Sequence, residues 1–515
     1  MSEEDEVQFA LAEALGDLQR VLGTSAGVVL GTLEMLVSVE ETVVREQATR
    51  SIVRIASGLS DAEVGSVLAP MVLRLAQGER FSSKVSAVNL MAAAYPRAGQ
   101  LKEKLRQKFL ELSGEDSPIV RRAIAFQLRE YGLVVERDVL VNEVIPELRK
   151  LAQDEQEQVR VLCLDSLIVI AKALSKEENR LHTLPIAIAA GEDPSWKVRI
   201  HFAKNYPSLS EAFGRDITDA SLVQTFAQML KDNEADVKAA ALHSLVTTMP
   251  AMSQDKVQAL IFPAISALSS DTSVNAHVRV STAEVIAVMS KLMGPEFTSQ
   301  RLVPMALSLL SDENHEVKVH TLLTLGKIAT VVGTELASAQ VVGTISALAR
   351  ESPNWRVRDA VSALVVELGQ VLGLDTFTRS LEDIYFLFLS DSTQAVREAG
   401  VERTSLLAMS LGRDWVQMRL LPKLREIFTR ETGYLGRSTV LQILSKVPLT
   451  TDLIEPFLTS ALEDRVPNVR FNLCKAAILL KRQVDPAVLR RILQPLVQDA
   501  DQDVRYYAQA ALAQL

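Results

Sequence analysis

The chain has 515 residues, 48% of them hydrophobic but only 5% aromatic, with 18 prolines and 22 glycines. That much apolar surface excludes a disordered chain, and the shortage of aromatics argues against several mixed cores, in favour of Leu, Val and Ala packing helix on helix. A formal charge of −9 and a pI near 5.5 exclude a general polyanion binder, because neutralising phosphates needs clustered Lys and Arg.

The start, Met-Ser-Glu-Glu-Asp-Glu, is the opposite of a basic signal peptide. No uncharged stretch reads as a membrane span; residues 239–254 carry His243 and Pro250. There is no N-x-S/T sequon, and Cys163 and Cys474 lie in apolar runs as expected of buried, reduced thiols. These features predict a soluble cytoplasmic chain, with the nucleus as a second compartment.

In chain order, Val7-Gln8 marks a half unit, and a Val followed by Arg or Lys then keeps returning. The basic residues are Arg45, Lys84, Arg121, Arg160, Arg199, Lys238, Arg279, Lys318, Arg358, Arg397, Arg437, Arg470 and Arg505, with Ser83 and Gly436 replacing Val before Lys84 and Arg437. Most are 37 to 41 residues apart, and the last two steps shorten to 33 and 35. Asp154, Asp193, Asp232, Asp312, Asp391, Asp464 and Asp499 each stand five residues before a unit's Val. Pro70, Pro146, Pro185, Pro304 and Pro456 each stand 14 before the basic residue. Three registers in step make this a repeat architecture of thirteen units after the half unit.

Each unit predicts two helices. In residues 143–173 a first stripe of Val144, Ile145, Leu148 and Leu151 is broken by the polar run 153–158. A second stripe follows with Val159, Leu162, Leu167, Ile170 and Ala171. Gly132, Gly214, Gly294, Gly333, Gly373 and Gly412 are placed to stop second helices, and each proline falls early in a first helix or bends it. The fold expected is an all-α solenoid of helix pairs, curved or horseshoe-shaped. The repeated Asp is expected to cap the second helix, and stacking to bring the Asp of one unit near the Arg of the next as a structural ladder.

Catalytic constellations are missing. None of the six histidines forms a metal motif, and no Cys-x-x-Cys is present. His315 and His320 are expected as a solvated pair. Gly23, Gly27 and Gly31 recur every four residues without a preceding strand or a following Gly-Lys-Ser/Thr, so helix packing or termination is expected of them. No enzyme, cofactor, metal or nucleic-acid partner is called for. In a solenoid the repeated turns form the extended binding surface. Trp196, Trp355 and Trp415 fall at repeat junctions rather than in apolar stripes, where Trp is a common interface anchor.

At this point a family resemblance becomes specific. The units are HEAT-like, and their order resembles the scaffold (A) subunits of protein phosphatase 2A across essentially the whole chain. It is carried by residues 39–45 (VEETVVR), 95–97 (YPR), 118–123 (PIVRRA), 195–199 (SWKVR), 355–358 (WRVR), 434–437 (YLGR), 468–472 (NVRFN) and 503–509 (DVRYYAQ). The resemblance implies a scaffold within a heterotrimer, whose C-terminal repeats hold a catalytic phosphatase subunit while its N-terminal repeats hold an exchangeable regulatory B-type subunit. Carried over by position, the catalytic-subunit surface, within residues 350–515, includes Trp415, Tyr434, Leu435, Arg437, Asn468, Arg470 and Asn472. The regulatory-subunit surface, within residues 1–320, includes Phe81, Pro118, Ile119, Arg121, Asp193, Trp196, Lys197 and Arg199.

The chain departs from the family pattern in two places. It starts in what reads as a second helix, so that residues 3–15 are expected to show an uncovered apolar face, and Arg80 stands where the family has a large aromatic. The short C-terminal spacings lead us to expect tighter curvature there. An importin- or adaptor-type protein gripping peptides on a concave face is the alternative. It needs acidic and aromatic residues across many consecutive second helices, and these helices begin apolar and basic.

Overall fold

The two stripes of each unit fold as a pair of helices. A computed structural model describes residues 3–22, 27–334, 339–430 and 433–515, and all regular structure in them is helical. In residues 137–173, for example, the first helix runs Arg137–Leu151 and the second Glu157–Ala173, with Val144, Ile145, Leu148, Val159, Leu167 and Ile170 fully buried. Such pairs follow the sequence ruler to Gln502–Leu512, after a leading helix Glu3–Leu22 that packs on Thr42–Gly58 and leaves Val7, Leu11 and Leu18 exposed. The chain divides into two units, residues 1–264 and 265–515.

In each unit successive second helices stack on one another. Pro118–Val134 lies against Glu157–Ala173 in the first, and Ala276–Met293 against His315–Val332 in the second. The core is therefore a thin continuous layer, in which only neighbours touch.

Four of the five repeated prolines follow a widened turn in their first helices. Five-residue π turns at Val64–Leu68, Leu140–Val144, Asn179–Thr183 and Thr298–Leu302 immediately precede the turns that carry Pro70, Pro146, Pro185 and Pro304. Proline has no N–H for the regular ladder and its ring crowds the preceding turn, and the wider turn accommodates both; proline is not required for it, because Thr218–Leu222 makes the same turn with none after it. Pro456 instead lies inside the regular helix Thr451–Leu462.

Gly214, Gly294, Gly333, Gly373 and Gly412 all take positive φ, as second-helix stops should. At Gly214 the N–H still reaches the carbonyl of Ser210 (3.0 Å) before the chain turns at φ 75°. Gly132 does not follow the expectation. It is buried inside Pro118–Val134, where an added Cβ would come 3.1 Å from Ile170, so it serves close packing rather than termination. Gly23 lies outside the described residues. Gly27 and Gly31 belong to the helix Gly27–Leu36, and Gly31 borders open space, so it serves neither packing nor termination.

Both cysteines are buried, and desolvation pushes their thiols up, that of Cys474 to about 12. His320 faces Glu284 at 3.5 Å rather than His315. Among the described residues no cluster of His, Cys, Asp and Glu could hold a metal ion. Trp355–Ser380 is the one described helix long and apolar enough to cross a membrane, and it is broken at Gly373 and more than half buried.

Candidate functional site

The edge formed by the turns within helix pairs is built on an ion-pair ladder. In the first unit Arg121, Arg160 and Arg199 place Nε 2.6, 2.7 and 2.6 Å from an oxygen of Asp154, Asp193 and Asp232. In the second, Arg279, Arg358, Arg437 and Arg470 do the same to Asp312, Asp391, Asp464 and Asp499 at 2.6 to 2.7 Å. Each pair is bidentate, with Nη2 on the other carboxylate oxygen.

Two details correct the sequence reading. The arginine reaches forward to the Asp of the following unit, so the Asp meets the Arg of the preceding unit, not of the next. The Asp is also not the cap. Its Oδ1 accepts from the N–H two residues on, for example Asp193 from Ser195 at 2.8 Å, and so orders the turn ahead of the helix. A third contact closes the unit. Nη1 of Arg160, Arg199 and Arg470 donates to the carbonyl of Asp154, Asp193 and Asp464 at 2.6 to 2.8 Å.

These contacts shift titration. Asp499 is held below the usual carboxylate range by the Arg470 hydrogen bonds. At Asp232, Asp312 and Asp391 burial pushes the carboxyl up, but their arginine and backbone hydrogen bonds outweigh it and the net direction is down.

Arg121, Arg199, Arg437, Arg470 and Asp193 are therefore committed to the ladder and largely buried, with side chains 18% exposed or less. What they contribute to the edge is the position of its turns.

The ladder sets apolar side chains outward at the start of the second helices. Phe81, Ile119 and Trp196 are exposed in the first unit, Tyr434 and Leu435 in the second. Pro118 opens its helix at the first position, where its missing N–H costs nothing. Trp196 is steadied from both sides. Glu157 accepts from Ser195 Oγ at 2.6 Å and from Lys197 Nζ at 2.5 Å. Trp355 is half-buried, with the Arg356 guanidinium over its ring at 4.7 Å.

Trp415 corrects the sequence reading outright, because it is buried, 1% exposed, and not on the surface. Its Nε1 donates to Glu382 Oε1 at 2.9 Å, its ring meets Phe377 edge-on at 5.9 Å, and Arg419 closes over the same Glu382. It is a packing residue of its repeat junction.

Around Tyr434 the edge opens into a depression of about 410 Å³, which reaches from Tyr434 and Leu435 to Asn468 and Asn472. Asn472 donates to Ser438 Oγ at 3.2 Å and to the carbonyl of Asn468 at 2.8 Å. Gln394, Glu398, Gln442, Phe471 and Lys475 also line it and were missed by sequence reasoning. The signal available was helical spacing, since Gln442 lies two turns beyond Tyr434, and Phe471 and Lys475 one and two turns beyond Asn468. Lys475 sits over the Phe471 ring at 4.2 Å, and Phe471 meets Tyr507 edge-on at 4.5 Å.

Comparison with known proteins agrees with this architecture. A family model described as "PPP2R1A-like HEAT repeat" matches residues 215–294. The human 65 kDa regulatory A-beta isoform of serine/threonine-protein phosphatase 2A is 35% identical over 330 residues, 63% of this chain and 55% of that protein. The regulatory A-type subunit of protein phosphatase PP2A from Schizosaccharomyces pombe is 34% identical over 219 residues, 42% of this chain and 37% of that protein. The matches thus span from about a third to just over half of these relatives' length. The solved structure of Kap121p superposes with a TM-score of 0.67 over 99% of this chain and 57% of that one, at 14% identity, a likeness of fold alone. The curated relatives are regulatory subunits rather than catalytic ones, and the chain is an all-α solenoid similar to the regulatory A-type subunits of protein phosphatase 2A.

Proposed function

We propose that this chain is a non-catalytic scaffold of a Ser/Thr phosphatase 2A-type complex. Turns of residues 350–515 bind a catalytic subunit, while turns of residues 1–320 bind an exchangeable B-type regulatory subunit. The observation that carries the reading is the grouping of exposed apolar side chains along the turn edge. Phe81, Ile119 and Trp196 form one group, Tyr434 and Leu435 another; of the five second helices between them, four begin at Ala235, Ala276, His315 and Gln394, and the fifth at the half-buried Trp355. Exposed aromatic and aliphatic knobs on rigid turns are what an interface anchor needs. Two groups on one chain raise the effective concentration of one partner near the other. The exposed parts of the second helices carry both signs, Arg122, Lys204 and Lys475 beside Glu398, which does not favour a grip on basic peptides. The complex is expected in the cytoplasm, with the nucleus as a second compartment.

Affinity purification of the tagged chain tests this. A phosphatase catalytic chain is expected in near-equal amount. Tyr434→Ala with Leu435→Ala should deplete the catalytic chain, and Trp196→Ala with Phe81→Ala only the regulatory one. Undiminished recovery of both partners from both double variants would sink the assignment.

A further inference from the structure

The ladder lacks a rung inside the second unit, and the residue at the vacant position bears a hydroxyl. Asp312, Asp391, Asp464 and Asp499 stand five residues before Val317, Val396, Val469 and Val504, but before Val357 that position is Ser352, followed by Pro353. The cation due to reach it is Lys318. Among the described residues Lys318 makes no ion pair; its charge is felt by Asp312 of its own unit, which Arg279 already holds at 2.6 Å. Lysine is able to form a rung, since Lys84 Nζ lies 2.8 Å from Glu115 in the first unit. What the Lys318 rung lacks is the anion.

Ser352 lies in the turn between Ala339–Glu351 and Trp355–Ser380, half-buried, with Pro353 exposed beside it. Its Oγ donates only a long 3.4 Å bond to the carbonyl of Asn354, and its own carbonyl accepts from Arg358 Nη1 at 2.9 Å. Arg358 is otherwise occupied by Asp391, and Arg356 by the Trp355 ring. Arg350, exposed two residues before Ser352, donates among the described residues only to Ser346 Oγ at 3.4 Å; the unpaired cation in the ladder register of this turn is Lys318.

We propose that Ser352 is a phosphorylation site for a proline-directed Ser/Thr protein kinase, and that its phosphate completes the missing rung with Lys318. Ser352 Oγ attacks the γ-phosphorus of ATP; the Oγ–P bond forms, the bond from γ-phosphorus to the β-bridging oxygen breaks, ADP leaves, and the hydroxyl proton passes to the kinase's base. The product carries roughly −1.5 to −2 charges at neutral pH where a ladder carboxylate carries one. It ties His315–Val332 to the turn that presents Trp355. The other Ser-Pro step, Ser117-Pro118, adjoins a turn whose Lys84–Glu115 rung is already made, so phosphate there completes nothing.

The test uses the full chain, ATP and a proline-directed kinase chosen because it phosphorylates a synthetic peptide of residues 345–362. Mass spectrometry should place phosphate on Ser352. Amide exchange in residues 315–332 and 355–360 should then slow by about five-fold. The slowing should persist in Lys318→Arg and vanish in Lys318→Ala and Lys318→Gln. Ser352→Asp should reproduce part of it without kinase, again only with a cation at 318. Failure to modify Ser352 in the folded chain, or equal slowing whatever stands at 318, would overturn the proposal.

Discussion

The first unit holds three consecutive Arg–Asp rungs with a constant separation, and the second holds its Arg–Asp rungs across a changing one. Arg121–Asp154, Arg160–Asp193 and Arg199–Asp232 are each 33 residues apart. In the second unit Arg279–Asp312 and Arg358–Asp391 keep 33, but Arg437–Asp464 is 27 and Arg470–Asp499 is 29. The contact distance is the same, 2.6 to 2.7 Å in every case. The shortening is taken up in the first helices, for Thr451–Leu462 and Pro486–Leu493 lack the π turn found in Arg137–Leu151 and Lys176–Gly191. The ladder is thus the invariant of the fold, and the first helices are where the repeat changes length.

The strongest way to break this symmetry of roles is at the two tryptophans. Trp415→Ala should cost about 3–5 kcal/mol, because it opens a cavity and also strips Glu382, 2% exposed, of its indole donor. Denaturant unfolding followed by segment-resolved exchange should show the loss in residues 374–430. Trp415→Phe, which keeps the volume but not the N–H, should lose less. A free-surface role for Trp415 would instead leave stability unchanged.

Next comes the ladder itself. Arg160→Ala leaves the Asp193 carboxylate, side chain 6% exposed, without its charge partner, and should cost about 2–4 kcal/mol given that the rung retains some solvent access. Because Asp193 also orders the turn that carries Trp196, exchange should accelerate there too. Asp193→Asn, which keeps an acceptor for the Ser195 N–H, should be milder. Third, Gly373→Ala puts a side chain on a backbone at φ 78°, ψ 174°, a region close to glycine-only, and should cost about 1–3 kcal/mol in thermal unfolding.

The same ladder sets an acid limit. Asp232, Asp312, Asp391 and Asp499 are held below the ordinary carboxylate range, so their pairing stabilises the folded chain above the unfolded-chain value of about 4. That contribution is lost as pH falls through the depressed folded values. Unfolding midpoints should therefore be flat above about pH 5 and fall steeply below 4. A midpoint that rises on acidification would contradict the ladder's role.

Most of the fold could be read before the structure, because a repeat multiplies each weak signal. One Val-Arg step means little, but eleven Val-Arg or Val-Lys steps in register with Asp and Pro define helix, turn and helix. The ladder followed from the same spacing, although its direction did not; a sequence says that Asp154 lies between Arg121 and Arg160, not which one it holds. Trp415 was misread because a residue at a junction has the same address whether its ring turns outward or under the neighbouring Glu382. Gly132 was misread because a glycine near a helix end serves termination and close packing equally well, and only Ile170 decides. The π turns left no apolar trace, since an extra residue in a bend shifts few buried positions. A proline behind the turn was a partial sign only, since Thr218–Leu222 makes the same turn with none after it.

The smallest expected effect on stability falls at Trp196, and it sharpens the contrast with Trp415 most. Trp196 is 39% exposed, stands outside the buried stripe, and its turn is held by the Glu157 contacts of Ser195 and Lys197 rather than by the indole. Trp196→Ala should change unfolding free energy by no more than about 0.5 kcal/mol. If Trp196 anchors a partner, truncation should weaken that complex by about 2 kcal/mol, roughly thirty-fold in Kd. A titration of the purified regulatory chain onto wild-type and variant scaffold reads the second number while thermal unfolding reads the first. Large loss in both would make Trp196 a packing residue like Trp415, and loss in neither would leave the first unit's edge without its central anchor.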